Sequence, residues 1–340
     1  KISSSAKFDL NKMRVRPFAK NFKDCPEIVN IVRSLKTYPG RVRDVLRSNC
    51  MTLKEFLAIE DSISNWITRA DLLLFTSKGN TTFCPAVIEV DNALCKLLGY
   101  YLSEGNISYD KGLRGTRARI EFHFNIKEVE YVEDVCKILD GLRVRYSIIK
   151  KIGNHTSSIV ASSRVLAFLL HDVLGCGVNC YTAKVPEVIY SANDEQRLLF
   201  LSTVFRGDGH ISKERNTPAV VYDFGSISEA LVNGMITLFH SLGIVPSYKK
   251  SKSAKSTDYA HFIRISGRNQ IQKLRYFKDT EKQKEVDARL SNYKKIIKPT
   301  GFRRENDNFA TVKIKGLEAS DARLDVYSLE VAGTNTFVLA

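Results

Sequence analysis

The chain has 340 residues, of which 44% are hydrophobic and 26% are charged. These ordinary values exclude a wholly disordered or fibrous chain. No run of about 18 uncharged apolar residues is present, and residues 1–5 carry no apolar signal core. The sequence therefore predicts an intracellular protein without a membrane span. Seven cysteines without a Cys-x-x-Cys pair favour a reducing compartment and buried thiols.

Basic residues exceed acidic ones, with 52 Lys and Arg against 37 Asp and Glu and a net charge of +15. Residues 241–300 alone hold 15 basic and 5 acidic residues, interleaved with aromatic ones such as Tyr248, Tyr259 and Phe262. Such an excess favours a polyanionic partner, either a nucleic acid or an anionic membrane. A basic protein without such a partner stays open on charge alone.

The first 90 residues predict helices at about 26–36, 41–48 and 52–66, with Tyr38-Pro39-Gly40 between the first two. This region holds 15 basic and 9 acidic residues. We favour a helical bundle with Trp66 in its core over a helix-turn-helix-like DNA-binding appendage. A remnant of another domain is a further interpretation.

The sequence then contains a repeat: the segment from about 92 to 180 resembles the segment from about 196 to 290. Each copy opens with an apolar helix that ends in an acid between small residues. The first is Leu97-Leu98-Gly99-Tyr100-Tyr101-Leu102-Ser103-Glu104-Gly105, and the second is Leu201-Ser202-Thr203-Val204-Phe205-Arg206-Gly207-Asp208-Gly209. Because Gly stops helices and permits positive φ, both helices should end at the glycine after the acid.

The rest of each copy also matches in order. Strands follow at about 105–123 and 209–224, helices at 127–140 and 228–241, strand pairs at 144–162 and 245–266, and a closing helix. We align Phe122 and Phe124 with Tyr222 and Phe224. Each copy therefore reads αββαββα, which predicts an α+β fold.

The two acids carry the chemical prediction. If the motif helices pack side by side, with Gly99, Ser103, Ser202 and Gly207 allowing close approach, Glu104 and Asp208 meet at one end. A helix C-terminus disfavours a lone carboxylate, and a divalent cation relieves that. Oxygen ligands of this kind suit Mg²⁺, which could serve phosphodiester hydrolysis.

The two nine-residue segments resemble the LAGLIDADG motif, in the two-copy single-chain form of intein-derived homing endonucleases. The resemblance implies two pseudo-symmetric αββαββα half-domains with saddle-shaped antiparallel sheets, at 91–182 and 183–300. Residues 1–90 would form a mainly helical region, either accessory to DNA binding or a splicing-domain remnant. Residues 301–340 would form a β segment similar to part of an intein splicing domain. Thr203 stands where the family prefers Gly, which should loosen or shift the helix crossing.

The resemblance also implies site residues. Glu104 and Asp208 would be catalytic and would bind Mg²⁺, with Mn²⁺ as an alternative. Lys184, in Lys184-Val185-Pro186, resembles the Lys-x-Pro block whose lysine assists at the active site, and Lys282 is its counterpart in the second copy. A solvated surface lysine is the competing interpretation for both.

In this family the sheets lie in the major groove of double-stranded DNA, so their outward basic residues are candidate DNA contacts. In the first copy these are Arg114, Arg117, Arg119, Arg145, Lys150 and Lys151. In the second copy they are Lys213, Arg215, Lys249, Lys250, Lys252 and Arg264. Because the copies differ, the target should be long and asymmetric. The chain carries both halves and should act as a monomer without an obligate protein partner.

The predicted function is a site-specific, metal-dependent double-strand DNA endonuclease. Two alternatives are a non-cleaving DNA- or RNA-binding protein on the same scaffold, such as a maturase or regulator, and a fragment of a self-splicing intein. His171, Cys176 and Cys180 could suggest zinc, but their spacing fits no standard site and buried thiols are favoured.

Overall fold

The computed structural model describes residues 12–76, 82–112, 115–213, 220–252, 257–274, 280–292, 301–306, 309–314, 316 and 319. The chain divides into two compact units, Lys1–Asp208 and Gly209–Ala340. Within the described residues, no helix combines the length and the apolarity that crossing a membrane requires.

The N-terminal region combines three helices with a small antiparallel sheet. Its elements are β1 (Met13–Pro17), α1 (Ile28–Ser34), α2 (Arg41–Ser48), β2 (Met51–Thr52), α3 (Leu53–Ile63), β3 (Leu72–Thr76) and β4 (Cys84–Pro85). The strands are ordered β2-β1-β3-β4, and Val15, Val45 and Phe56 lie in the shared core. All three predicted helices are present, but the sheet makes the helical-bundle prediction wrong. The prediction of a core Trp66 is also wrong, since it is 47% exposed.

The first repeat copy has the predicted element order. It comprises α4 (Asn92–Glu104), β5 (Gly105–Gly112), β6 (Gly115–Asn125), α5 (Val129–Gly141), β7 (Ser147–Lys151), β8 (Thr156–Ala161) and α6 (Arg164–Phe168). The four strands form an antiparallel sheet ordered β5-β6-β8-β7. On β6, buried Ile120, Phe122 and Phe124 alternate with outward polar residues, as expected of a sheet with one solvated face.

The N-terminal region packs against α6 of this copy. Val165 on α6 shares a buried cluster with Met13 on β1 and Cys84 on β4. The Thr82 hydroxyl donates a hydrogen bond of 2.6 Å to the carbonyl of Ser162. These contacts make the N-terminal region and the first copy parts of one packed body. Two helices then complete this unit, α7 (Glu187–Tyr190) and α8 (Asp194–Asp208).

The second unit holds the rest of the second copy. It comprises β9 (Gly209–Lys213), β10 (Val220–Ser226), α9 (Glu229–Ser241), β11 (Ser247–Ser251), β12 (Ala260–Ile265), α10 (Arg268–Lys273), α11 (Thr280–Asn292), β13 (Phe302–Arg304) and β14 (Ala310–Val312). Its main sheet is ordered β11-β12-β10-β9, the same connectivity as in the first copy. The mixed helix and antiparallel-sheet architecture confirms the predicted α+β fold. Of the predicted C-terminal β segment, the described residues show the β13–β14 pair, and residues 320–340 lie outside them.

Strand pairing corrects the alignment of the two copies. Gly105 pairs with Phe122, and its counterpart Gly209 pairs with Phe224. Phe122 therefore corresponds to Phe224 rather than to Tyr222, and the alignment of the aromatic residues was wrong by two residues. The error preserved the inward face because a shift of two residues in a strand keeps each side chain on the same side.

Candidate active site

The two motif helices, α4 and α8, pack closely through residues that hold equivalent places in the two copies. A Cβ added to Gly99 would lie 2.7 Å from the Thr203 Cβ and 2.9 Å from the carbonyl oxygen of Phe200. A Cβ added to Gly207 would lie 2.5 Å from the Ser103 Cβ and 2.6 Å from Glu104 Oε1. At each of these two contacts, a glycine in one copy makes room for the larger counterpart in the other.

Thr203 fits this interface because Gly99 faces it. Its side chain is buried, and its hydroxyl donates a hydrogen bond of 2.7 Å to the carbonyl of Leu199 within α8. The departure from the family preference at this position is thus matched by the glycine on α4.

The glycine after the first acid serves close packing rather than positive φ. Gly105 has φ −105° and ψ 153°, which is extended backbone open to any residue. A Cβ there would lie 2.5 Å from the carbonyl oxygen of Tyr101 and 2.7 Å from its Cα. The helix therefore turns directly into β5 at a point where no side chain fits, and Glu104 stays at the last helical position.

The carboxylates of Glu104 and Asp208 occupy the C-terminal ends of these packed helices. Burial, the negative charge of Asp208 and that of Glu128 together raise the pKa of Glu104 to about 8. Asp208 is more exposed, and loss of hydration to the surrounding protein raises its pKa to about 6. Both shifts disfavour the negative charge, so the two groups form an uncompensated acidic pair.

Nearby basic side chains do not neutralise this pair. Among the described residues, no ion pair joins Glu104 or Asp208 to a Lys, Arg or His. Arg206 lies two residues before Asp208, yet its guanidinium donates a hydrogen bond of 2.8 Å to the Tyr100 hydroxyl and lies 3.7 Å from Asp134. Arg206, the basic residue of α8 nearest in sequence to Asp208, is therefore bonded to Tyr100 and Asp134 instead.

Lys184 lies in a loop that is hydrogen-bonded to one residue before Glu104 and to one residue after it. The Tyr101 hydroxyl donates to the carbonyl of Gly177 at 2.7 Å, and the amide of Ile107 donates to Val178 at 2.8 Å. The amide of Lys184 in turn donates to Cys176 at 3.3 Å. Its exposed side chain passes Gly175, where an added Cβ would lie 3.0 Å from the Lys184 Cε. The loop thus brings Lys184 to the part of the fold where α4 becomes β5.

The other predicted site groups have different outcomes. Lys282 lies in α11, but its side chain is outside the described residues.

Cys176 is buried, with a pKa raised to about 12 by that burial, whereas Cys180 is exposed. Within the described residues, no cluster of three or more His, Cys, Asp or Glu side chains could hold a metal. The prediction of buried thiols fails at Cys180.

The solvated face of the first sheet is polar and carries part of the predicted basic set. Arg117 and Arg119 point outward from β6, and Arg119 forms an ion pair of 2.7 Å with Asp110 on β5. Lys151 points outward from β7, whereas the register places exposed Lys150 on the opposite side of that edge strand. Arg145 is exposed just before β7, and Arg114 lies outside the described residues.

The solvated face of the second sheet has a different arrangement. Arg264 on β12 lies directly opposite Asp223 on β10, with 2.7 Å between Arg264 Nε and Asp223 Oδ1. Lys249 points outward from β11, and Lys250 lies on the opposite side of that strand. The ammonium groups of Lys250 and Lys252 lie 5.2 and 5.6 Å from the ring centre of Tyr259. The side chain of Lys213 and the whole of Arg215 lie outside the described residues.

Sequence reasoning missed the acids that accompany these arginines. Asp110 and Asp223 each lie at an outward strand position, where an alternating polar pattern gave the only available signal. It also missed the network of Arg206, Tyr100 and Asp134, although an arginine in the apolar second half of α8 could have indicated it.

Curated proteins from two archaea are similar to parts of this chain in sequence. Over 290 residues, the chain is 36% identical to an uncharacterized protein of Methanocaldococcus jannaschii, covering 84% of this chain and 32% of that protein. It is 27% identical over 216 residues to a DNA polymerase of Thermococcus aggregans, covering 63% of this chain and 10% of the polymerase. The chain thus spans a third or less of the length of these curated relatives.

Among solved structures, the chain resembles the homing endonuclease I-DmoI in a complex with DNA and Mn. The TM-score is 0.43 with 15% identity, over 56% of this chain and 98% of that one. Full-length DUF199/WhiA also matches, with a TM-score of 0.40 and 14% identity over 63% of this chain and 64% of that one. Residues 195–276, which include the second motif helix and its acid, match the model of the LAGLIDADG-like domain. The chain therefore contains a LAGLIDADG-like domain, which lies in the second repeat copy.

Proposed function

We propose that this protein is a site-specific endonuclease that makes a metal-dependent double-strand break in a long, asymmetric DNA target. The observation that carries the proposal is the acidic pair of Glu104 and Asp208. Two equivalent helices, packed through their small residues, present a carboxylate each at the same end. Two buried carboxylates without a basic partner either keep a proton or, when both ionise, are neutralised by a bound cation.

A divalent cation fits these residues. The donors are two carboxylates whose raised pKa values report a site that disfavours negative charge unless a cation is present. With two carboxylates as the donors among the described residues, the remaining ligands would be water and DNA phosphate oxygens, which is the coordination that Mg²⁺ favours. Mn²⁺ accepts the same ligands. When bound, such an ion would supply water activation and stabilisation of the leaving oxygen.

Lysines would complete the site. Lys184 is exposed in a loop fastened at Tyr101 and Ile107, on either side of Glu104 in the chain. We assign it the role of stabilising charge or positioning water beside the scissile phosphate. We assign the same role to Lys282 in the second copy, on the basis of the repeat.

The two solvated sheet faces would bind the DNA. Both are antiparallel sheets with an outward polar and basic face, and such strands can enter the major groove. The candidates on these faces or at their margins are Arg117, Arg119, Arg145, Lys151, Lys249, Lys252 and Arg264, with Lys150 and Lys250 at the strand edges. Because one chain carries both halves, the active form would be a monomer.

We further propose an intein origin. The same sequence type occupies a third of a Methanocaldococcus protein and a tenth of a Thermococcus DNA polymerase, as expected of a module inserted into different hosts. In this organisation, residues 1–90 precede the half-domains 91–182 and 183–300, and residues 301–340 belong to the splicing part.

The test is cleavage of a library of plasmids with random inserts, with Mg²⁺ and with EDTA, by the wild type and by Glu104→Gln and Asp208→Asn. Metal-dependent double-strand cuts at one enriched sequence, lost in both variants while DNA binding is kept, would support the proposal. Glu133→Gln, an exposed acid on α5, is the matched control and should cut normally. Sequence-specific binding without cutting in any metal would contradict the nuclease and favour the non-cleaving regulator or maturase.

A further inference from the structure

Among the described residues of each solvated sheet face, an arginine is held by an aspartate on a neighbouring strand. In the first sheet, Arg119 Nη2 lies 2.7 Å from Asp110 Oδ2. In the second sheet, Arg264 Nε lies 2.7 Å from Asp223 Oδ1, and its Nη2 donates to Oδ2 at 3.4 Å. The Ser212 hydroxyl donates to the same Asp223 carboxylate at 2.5 Å, which fixes the acid itself. The side chain of Arg264 is nevertheless 63% exposed.

The two arginines do not occupy equivalent places. With Gly105 and Gly209 as the common reference, Arg119 on β6 corresponds to Val221 on β10. Arg264 on β12 corresponds in turn to Val160 on β8, because Phe122 pairs with Ile159 and Phe224 pairs with Ile263. Each copy therefore has an aspartate-held arginine where the other copy has a valine.

We propose that Arg119 and Arg264 each read a guanine in the major groove, at positions that are not related by the pseudo-symmetry of the target. This inference rests on the proposed function, because it requires the sheet faces to lie against DNA. It adds which residues discriminate between bases, which base they select and why the two half-sites differ.

The net charge of the Arg–Asp pairs distinguishes base reading from phosphate binding. An aspartate within ion-pair distance cancels the charge of the arginine and repels phosphate, so the pair has little attraction for the DNA backbone. Its N–H donors still match the O6 and N7 acceptors of guanine, and the carboxylate fixes the direction of the fork. Lys249 and Lys151 make no ion pair among the described residues, and they are suited to phosphate contacts.

Position within the sheet agrees with this division. β6 and β12 are inner strands of their sheets, whereas β7 and β11, which carry Lys151 and Lys249, are edge strands. When a sheet enters the groove, side chains on inner strands are nearest the base edges and those on edge strands are nearest the phosphates.

The experiment selects binding sites from random double-stranded DNA in EDTA, so that cleavage does not remove bound sequences. Wild type should select a motif with two dominant guanines. Arg264→Gln should lose preference at one of them and Arg119→Gln at the other, each by about 10- to 100-fold. Folding of every variant is checked by thermal unfolding.

Asp223→Asn supplies a readout that a purely structural role would not give. It leaves Arg264 in place but frees its positive charge, so affinity for random DNA should rise while discrimination at the Arg264 position falls. Lys249→Gln, on the same sheet face, is the matched control. It should weaken binding to all sequences alike and lower the salt dependence by about one unit of slope.

The outcomes separate this inference from the proposed function. If wild type selects a motif and both arginine variants select the same motif unchanged, the guanine assignment is overturned and DNA binding stands. The assignment also fails if the two variants lose positions related by the pseudo-symmetry. If wild type selects no sequence, both proposals fall together.

Discussion

The ionisation of Glu104 links the candidate site to the stability of the fold. Its pKa is raised to about 8 by burial and by the charges of Asp208 and Glu128, against an ordinary value of 4.5. The protonated form is therefore favoured in the folded protein. The resulting stabilisation is fully present below about pH 4.5 and is lost as the pH rises to about 8, because unfolding lets the carboxyl ionise.

Glu104→Gln should consequently make the metal-free protein more stable at alkaline pH. We expect a gain of at least about 1 kcal/mol in the free energy of unfolding near pH 8.5, and none near pH 4.5. Urea unfolding in EDTA at both pH values measures it. Glu133→Gln should show no such pH-dependent gain. Equal stability of Glu104→Gln and wild type at the alkaline pH would contradict the account of this site.

Individual residues also show where sequence reasoning stops. The two acids could be predicted because a repeat placed them at equivalent positions. Their electrostatic setting could not, since it depends on the commitment of Arg206 to Tyr100 and Asp134 rather than to Asp208. The role of Gly105 was predicted as positive φ, whereas the structure shows that close packing against Tyr101 requires the glycine.

At the scale of elements, the α4–α8 contact governs the position of both acids. Gly99→Ala would place a methyl group 2.9 Å from the backbone oxygen of Phe200 and 2.7 Å from the Thr203 Cβ. Because backbone cannot move aside cheaply, we expect a loss of about 1–3 kcal/mol in the free energy of unfolding, measured by urea denaturation.

Gly141→Ala is the control for this substitution. Gly141 is the last residue of α5, and an added Cβ there meets no atom within 4 Å. That change should be neutral or slightly stabilising, because alanine favours helix over glycine. Equal stability of Gly99→Ala and Gly141→Ala would contradict the view that the contact between the helices leaves no room for a side chain at Gly99.

Helices were easier to predict than short strands. The helices predicted at 127–140 and 228–241, which are α5 and α9, were found within two residues because apolar spacing continues over three or more turns. The N-terminal sheet was missed because β2 and β4 have two residues each and carry no periodicity. Among the strands of the N-terminal sheet, β1 alternates most clearly, because Met13, Val15 and Pro17 are buried and two arginines lie between them.

At the scale of the molecule, the N-terminal region and the first copy share one buried cluster. Val165 is 5% exposed and lies with Met13 and Cys84, so a charge there would separate the two parts. Val165→Asp should lower hydrogen-exchange protection in β1, β3 and α6 together, with a loss of about 3 kcal/mol in stability.

Val129→Asp is the control for this substitution, since Val129 is 54% exposed at the first position of α5. It should leave exchange protection unchanged. Loss of protection confined to α6, with β1 and β3 unaffected, would contradict the view that this cluster joins the two parts.

The helix contact also explains why neither copy could be replaced by a duplicate of the other. Gly99 meets Thr203, and Ser103 meets Gly207, so each contact joins one small and one larger residue at equivalent places. Two first copies would place glycine against glycine and serine against serine, and two second copies would place threonine against threonine. The two motif helices therefore complement each other rather than themselves, and a symmetric pair of either helix would need a different helix spacing.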